Sequence, residues 1–220
     1  MPIDRLSRMP ERGSSDRPTL DSLLDSELVG TLSTVSPDGE PWVVPILFAR
    51  DGDRVLVHGS TGAGALRLAA SGAPVAFCVM ALDALVIGHT TFASSANYRS
   101  AVLRGTMTRL PADEASEALD LLSDRLIPGR VAEVRPSNAR ELAATQVLAL
   151  PIAPGSWIYK ERRAQASSPD EQTDAWGGLV PRVTSWGVPE PAPWTDADVP
   201  PSVLGLAADQ PRRDDTAFRQ

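Results

Sequence analysis

The sequence predicts a mainly β (α+β) protein: a small barrel of antiparallel strands decorated by a few short helices. Three observations lead there. Strand-like apolar runs follow one another closely, parted by Asp-Gly turn signals at Asp38-Gly39 and Asp51-Gly52. Helical stripes are few, short and inserted between those runs. Proline gathers at the two ends, in Met1–Pro18 and Pro169–Pro211, leaving one folded body between them.

Each element follows in order. Thr19–Leu28 reads as a helix with Leu20, Leu23, Leu24 and Leu28 on one face, capped by Thr19 or Asp21 and ended by Gly30. Thr31–Ser36, Pro41–Arg50 and Arg54–Gly59 read as an antiparallel meander with turns at Pro37–Glu40 and Asp51–Asp53. Ala65–Ala70 is a helix stopped by Ser71-Gly72. Strands are expected over Pro74–Leu82, Leu85–Thr91 and Tyr98–Arg109. Pro111–Glu114 opens a helix whose stripe is Ala115, Leu119, Leu122 and Leu126. A shorter helix at Ser137–Thr145 precedes closing strands at Gln146–Ile152 and Ser156–Arg162. A last strand-like run is Val183–Val188.

Composition narrows the function. Among 220 residues, 28 are acidic and 21 are Lys or Arg, a net charge of −7, which speaks against a basic nucleic-acid face. The single Cys78 excludes a disulfide framework within the chain and a cysteine cluster for zinc, and its apolar neighbours suggest a buried, inert thiol. Two histidines, His58 and His89, do not make a His-rich metal site, and the plain reading of each is a satisfied barrel histidine. The longest apolar stretch, Ala73–Val86, is interrupted by Asp83 and falls short of the roughly 20 residues of a membrane span. The polar N-terminus lacks the apolar region of a signal peptide, so the expected location is cytoplasmic.

Three constellations carry candidate chemistry. His58-Gly59-Ser60-Thr61-Gly62-Ala63-Gly64 leaves a strand and enters a helix, with Arg67 in the first helical turns. It can cradle a phosphate, or it is an ordinary loop with Thr61 as helix cap. Asn97-Tyr98-Arg99-Ser100 offers a bidentate anion partner and a hydroxyl. In a regular strand Arg99 and Ser100 face opposite sides, so one ligand reaches both only through a bulge, a turn or a dimer interface. The plain alternative is a solvated edge arginine. Trp176-Gly177-Gly178 can lie against a planar ring or pack the tail onto the barrel. Nucleophile-elbow, zinc-protease and P-loop motifs are all absent, and no hydrolytic catalyst emerges.

Taken in order, these pieces resemble the pyridoxamine 5′-phosphate oxidase-like flavoproteins with an FMN-binding split barrel, and more narrowly their nitroimidazole-reductase-like branch. The resemblance rests on Thr34–Pro41, Val43–Ile46, His58–Ser60, Ala73–Val75, Asn97–Ser100 with Gly105, and Trp176–Gly178, and covers Leu20 to Pro189. It implies a homodimer with FMN at the interface. Val43, Val44, Pro45 and Ile46 would flank the isoalloxazine by backbone contacts. His58, Gly59, Ser60, Thr61 and Gly62 would hold the phosphate. Tyr98, Arg99 and Ser100 would complete the site from the partner subunit, and Trp176 would stand near the flavin.

Departures refine this. Many relatives carry Ser-Arg or Ser-Lys where this chain has Ala63-Gly64, so one phosphate-binding charge is absent or moved to Arg67. The basic strand signature and the Arg-Leu-x-Pro ending of true pyridoxamine phosphate oxidases are missing, so vitamin B6 oxidation is not expected. The resulting expectation is a flexible arm over 1–18, a flavin-binding split barrel over 19–190 and a Pro-rich tail over 191–220. The expected activity is FMN-dependent oxidoreduction, passing hydride or electrons from a reduced nicotinamide cofactor to a small organic acceptor, with no acid-base side chain identified. The alternative is a non-catalytic flavin or haem carrier or sensor, since the superfamily also holds deazaflavin and haem binders.

Overall fold

The computed structural model describes Leu6 and residues 8–208. Ten strands form one antiparallel system: β1 (Gly13–Ser14), β2 (Val29–Val35), β3 (Pro41–Asp51), β4 (Arg54–Ser60), β5 (Pro74–Ile87), β6 (Ser95–Thr106), β7 (Thr108–Arg109), β8 (Thr145–Pro151), β9 (Trp157–Arg162) and β10 (Gly178–Pro181). The order is β1-β9-β6-β5-β2-β3-β4-β8-β7, with β10 on β5. Chain from β6 runs straight into β7, which pairs with β8, so one stretch links the last strand of the order to the third from its other end. This is the split barrel that the resemblance implies.

Helices α1 (Arg17–Ser26), α2 (Gly64–Ala70), α3 (Ala112–Leu126), α4 (Ala139–Ala144) and α5 (Pro201–Ala208) decorate it. Leu20, Leu23 and Leu24 of α1 and Leu66 of α2 fill the barrel interior with Leu32, Phe48, Val57, Phe77, Leu103 and Leu148. The Phe48 and Phe77 rings meet edge-on at 5.2 Å. A second core lies outside the barrel wall, where Ala118 and Leu122 of α3 cover Ala49, Leu56, Val147 and Ala149. Arg17, Arg50 and Arg54 alternate with Asp21, Asp25, Asp51 and Asp53 to tie α1 to the β3–β4 turn.

Several expectations change. The cap of α1 is Asp16, whose carboxylate accepts from the Thr19 N–H at 3.0 Å, because Pro18 already occupies the first turn. The helix ends at Ser26 with Glu27 as its C-cap, so Leu28 lies beyond it. Pro74–Leu82 and the first part of the expected Leu85–Thr91 are one strand, interrupted only by a bulge at Asp83 and ending at Ile87, so residues 88–91 lie outside it. Conversely, the expected strand to Arg109 divides at Met107, which turns into the core while β7 changes partners. Val183–Val188 is not a strand, since β10 ends at Pro181. The expected N-terminal arm and C-terminal tail fall partly on 1–5, 7 and 209–220, outside the described residues. Within the arm, β1 already pairs with β9. Within the tail, the Ser202 N–H and hydroxyl at the start of α5 bond the Glu133 carboxylate. No helix among the described residues is long and apolar enough to cross a membrane.

Gly30 shows how tightly the interior is filled. A Cβ there would stand 2.2 Å from Phe77 Cζ and within 2.9 Å of two more ring atoms. Phe77 is buried and cannot move aside. Gly30→Ala is expected to cost about 1–3 kcal/mol, read as a lowered urea midpoint with an unchanged slope.

Candidate functional site

Alternation along β3 divides the four residues of Val43–Ile46. Val44 and Ile46 turn inward and pack on the core, whereas Val43 and Pro45 face out, Val43 being 56% exposed. Across the sheet Val43 stands opposite Ser33, Pro45 opposite Thr31, and Thr31 opposite Cys78. The same outer surface continues through Val29, Leu47 and Met80, all exposed. Burial raises the Cys78 thiol above its ordinary pKa, which leaves it protonated and unreactive at neutral pH.

The loop after β4 is drawn tight by its own hydrogen bonds. Ser60 Oγ accepts from the Gly62 N–H at 3.2 Å, Ser60 O accepts from Ala63 at 2.9 Å, and the Thr61 N–H donates to Ala144 O at 3.0 Å. Three loop amides are thus occupied within the protein. Thr61 is not the cap of α2: Ala63 stands there and supplies no side-chain bond. Trp42 covers the start of the helix, where a Cβ on Gly64 would meet its indole at 2.2 Å. A Cβ on Gly59 would stand 2.5 Å from Cδ1 of the buried Leu66, which would have to shift. Arg67 is exposed and has no side-chain hydrogen bond or ion pair among the described residues.

His58 pairs across the ladder with Val147, which places it on the wall beneath α3 and α4 rather than in the barrel. Burial lowers its pKa, and its Nδ1 is buried without a partner, as is that of His89. The expected satisfied histidines are therefore not satisfied at Nδ1.

On β6 the alternation separates Arg99 from its neighbours. Tyr98 and Ser100 share the outer surface, with Lys160 Nζ 6.0 Å from the Tyr98 ring and Ser100 opposite Met80. Arg99 turns inward and binds Asp83 through Nε and Nη2 at 3.0–3.3 Å, with Nη1 on Ser26 Oγ. Burial alone would lower its pKa, but the Asp83 hydrogen bonds and charge hold the guanidinium above its ordinary value. Asn97, only 1% exposed, is a clamp: it exchanges hydrogen bonds with the Ala164 backbone and accepts from Arg162. Trp176 is exposed and leans on Gly178, just before β10.

Within one chain, then, Val43, Pro45 and the Ser60–Gly62 loop lie along β3 and β4, while Tyr98 and Ser100 lie on β6, with β5 and β2 between them. The structure does not bring Arg99 or Trp176 to that group. Residues that sequence reasoning passed over are Trp42, Ser26 and Asp83. For Asp83 a signal existed: a lone carboxylate inside an apolar run calls for a cationic partner.

Two outcomes follow. Arg99→Ala and Asp83→Asn each strand a partly buried group and are expected to cost about 1–3 kcal/mol. The double variant should cost clearly less than their sum in denaturant titrations, and strict additivity would refute the coupling. Because the folded His58 pKa lies below its unfolded value of roughly 6.5, protons bind the unfolded chain better. Its contribution is complete above that value and is lost as pH falls below it. The stability profile of His58→Gln should be flatter from neutral pH to about pH 5.

The sequence model of the family described as pyridoxamine 5′-phosphate oxidase matches residues 16–157. A solved FAD- and haem-binding protein from Mycobacterium smegmatis is 43% identical, with a TM-score of 0.85, covering 89% of this chain and 97% of its own. A flavocytochrome from Azotobacter vinelandii is 28% identical, with a TM-score of 0.83, covering 91% and 94%. A Bacteroides thetaiotaomicron protein named for 5-nitroimidazole antibiotic resistance shares the fold at 18% identity, with a TM-score of 0.58 over 68% and 86%. No curated protein matches. With its split barrel and a family match across most of the folded body, the chain belongs to the pyridoxamine 5′-phosphate oxidase-like family.

Proposed function

We propose that this protein binds a flavin at the interface of a homodimer and works in electron or hydride transfer. The observation that carries the reading is the 43% identity, over nearly the whole of both chains, to a protein that binds FAD and haem. That relative favours FAD over the FMN expected from the sequence. The two share the isoalloxazine. The residues fit such a group. Val43 and Pro45 present an open apolar strand, Ser60 a hydroxyl, and Arg67 an unpaired cation. Bound flavin supplies the redox chemistry, while these residues orient the ring and hold its phosphate. Exposed Val29, Val43, Leu47 and Met80 make a surface that a second copy would cover, bringing its Tyr98 and Ser100 against the first. The expected setting is the cytoplasm, with a reduced nicotinamide cofactor as donor and a small organic acceptor.

A second reading adds haem, making a flavin-haem carrier or oxidoreductase. Its support in this chain is the buried, unpartnered Nδ1 of both His58 and His89. Held neutral by burial, His58 is in the protonation state a metal ligand needs.

The purified protein should show flavin absorption, and chromatography of acid-released flavin distinguishes FAD from FMN. A Soret band lost in His58→Ala or His89→Ala identifies a haem ligand. Colourless protein that binds no added flavin refutes the proposal, as a monomer at micromolar concentration refutes the dimer. Arg67→Ala should weaken FAD or FMN roughly ten- to hundredfold and leave riboflavin unchanged. Arg99→Ala should not distinguish phosphorylated from unphosphorylated flavin, because its guanidinium is held by Asp83.

A further inference from the structure

Strand β5 is longer than either strand that shares its outer edge. β2 pairs with it over Val75–Cys78 and β10 over Ala84–Ile87. Between them, from Val79 to Asp83, that edge carries no strand, and one bond, from the Arg182 N–H to Asp83 O at 2.8 Å, reaches across from the tail. A cavity of about 380 Å³ opens at this gap, a size typical of small-molecule sites. Its walls are the end of α1, the start of β2 at Val29, the bulge of β5 with Arg99, and the tail segment from Arg182 to Trp186.

Charge selects what the cavity can take. Arg99 lines it but is already matched by Asp83 and Ser26. Two further charges remain. Glu27, just past the negative end of α1, makes no ion pair among the described residues; its carboxylate accepts from Ser26 Oγ at 3.4 Å, and Arg125 donates to its backbone carbonyl. Arg182 has no side-chain hydrogen bond or ion pair among them either. Trp186 adds a half-exposed indole, and Thr184 and Ser185 add hydroxyls. A ligand that meets both charges carries an ammonium and a carboxylate, and one that uses the indole carries an apolar or aromatic group.

We propose that this gap, which borders at Val29 the surface that a second copy would cover, is a binding site for a small aromatic zwitterion of the α-amino acid type. Glu27 takes the ammonium, Arg182 the carboxylate, Trp186 the side chain, and the unpaired β5 edge offers backbone hydrogen bonds to either polar end.

The test is calorimetric titration of the full chain, as purified, with L-phenylalanine, phenethylamine and 3-phenylpropionate. Phenylalanine should bind, and each analogue, lacking one charge, should bind about tenfold more weakly or worse. Arg182→Ala should weaken phenylalanine and phenylpropionate but not phenethylamine. Glu27→Gln should weaken phenylalanine and phenethylamine but not phenylpropionate. Trp186→Leu should weaken all three. Both charged residues are at the surface of the cavity, and circular dichroism confirms that the variants fold. Flavin content measured on the same samples keeps failure of the flavin reading distinct from failure here. Absence of heat with millimolar phenylalanine, equal binding of the three probes, or equal losses in the two charge variants overturns the site.

Discussion

A single ion pair lets the central strand exist. β5 runs for 14 residues and is the strand on which β2, β6 and β10 all depend. It carries Asp83 in the middle of an apolar run. A partly buried carboxylate there is costly without a partner. Arg99 supplies that partner from the adjacent strand, and the bulge rotates Asp83 to meet it while returning Ala84 and Val86 to the core. Beyond the bulge, β5 continues paired to β6 through Ala84–Val86 and carries β10 on its other edge.

The same pairing decides what Arg99 cannot do. Its fork is spent on a carboxylate of its own chain, so its chemistry is architectural. The proposed site's groups lie instead where alternation turns residues outward: Val43 and Pro45 on β3, Tyr98 and Ser100 on β6, and the loop leading to Arg67. These groups are parted by two strands within one chain.

The meander β2–β4, its two turns and α2 were legible because Asp-Gly signals and short apolar runs act locally. Gly39 and Gly52 both hold positive φ at those turns. The unity of β5 was not legible, because propensity treats Asp83 as a terminator and the residue that makes it tolerable arrives 16 positions later. The cap at Asp16 was missed for a similar reason: the proline behind it reads as loop until the helix is seen to begin there. Of the site, alternation foretold that Arg99 and Ser100 part company. It could not foretell which faces the core, since both are polar.

Strand β10 has a protective consequence. Residues 84–87 of β5 carry Leu85, Val86 and Ile87, and β10 covers their free edge through only four residues. A chain shortened before Gly178 would keep its barrel and its outer surface but bare an apolar edge ready to pair with any extended neighbour. The tail is thus also a guard against fibrous self-association, and proteolytic nicking between Arg162 and Gly178 would matter for solubility before it mattered for ligand binding.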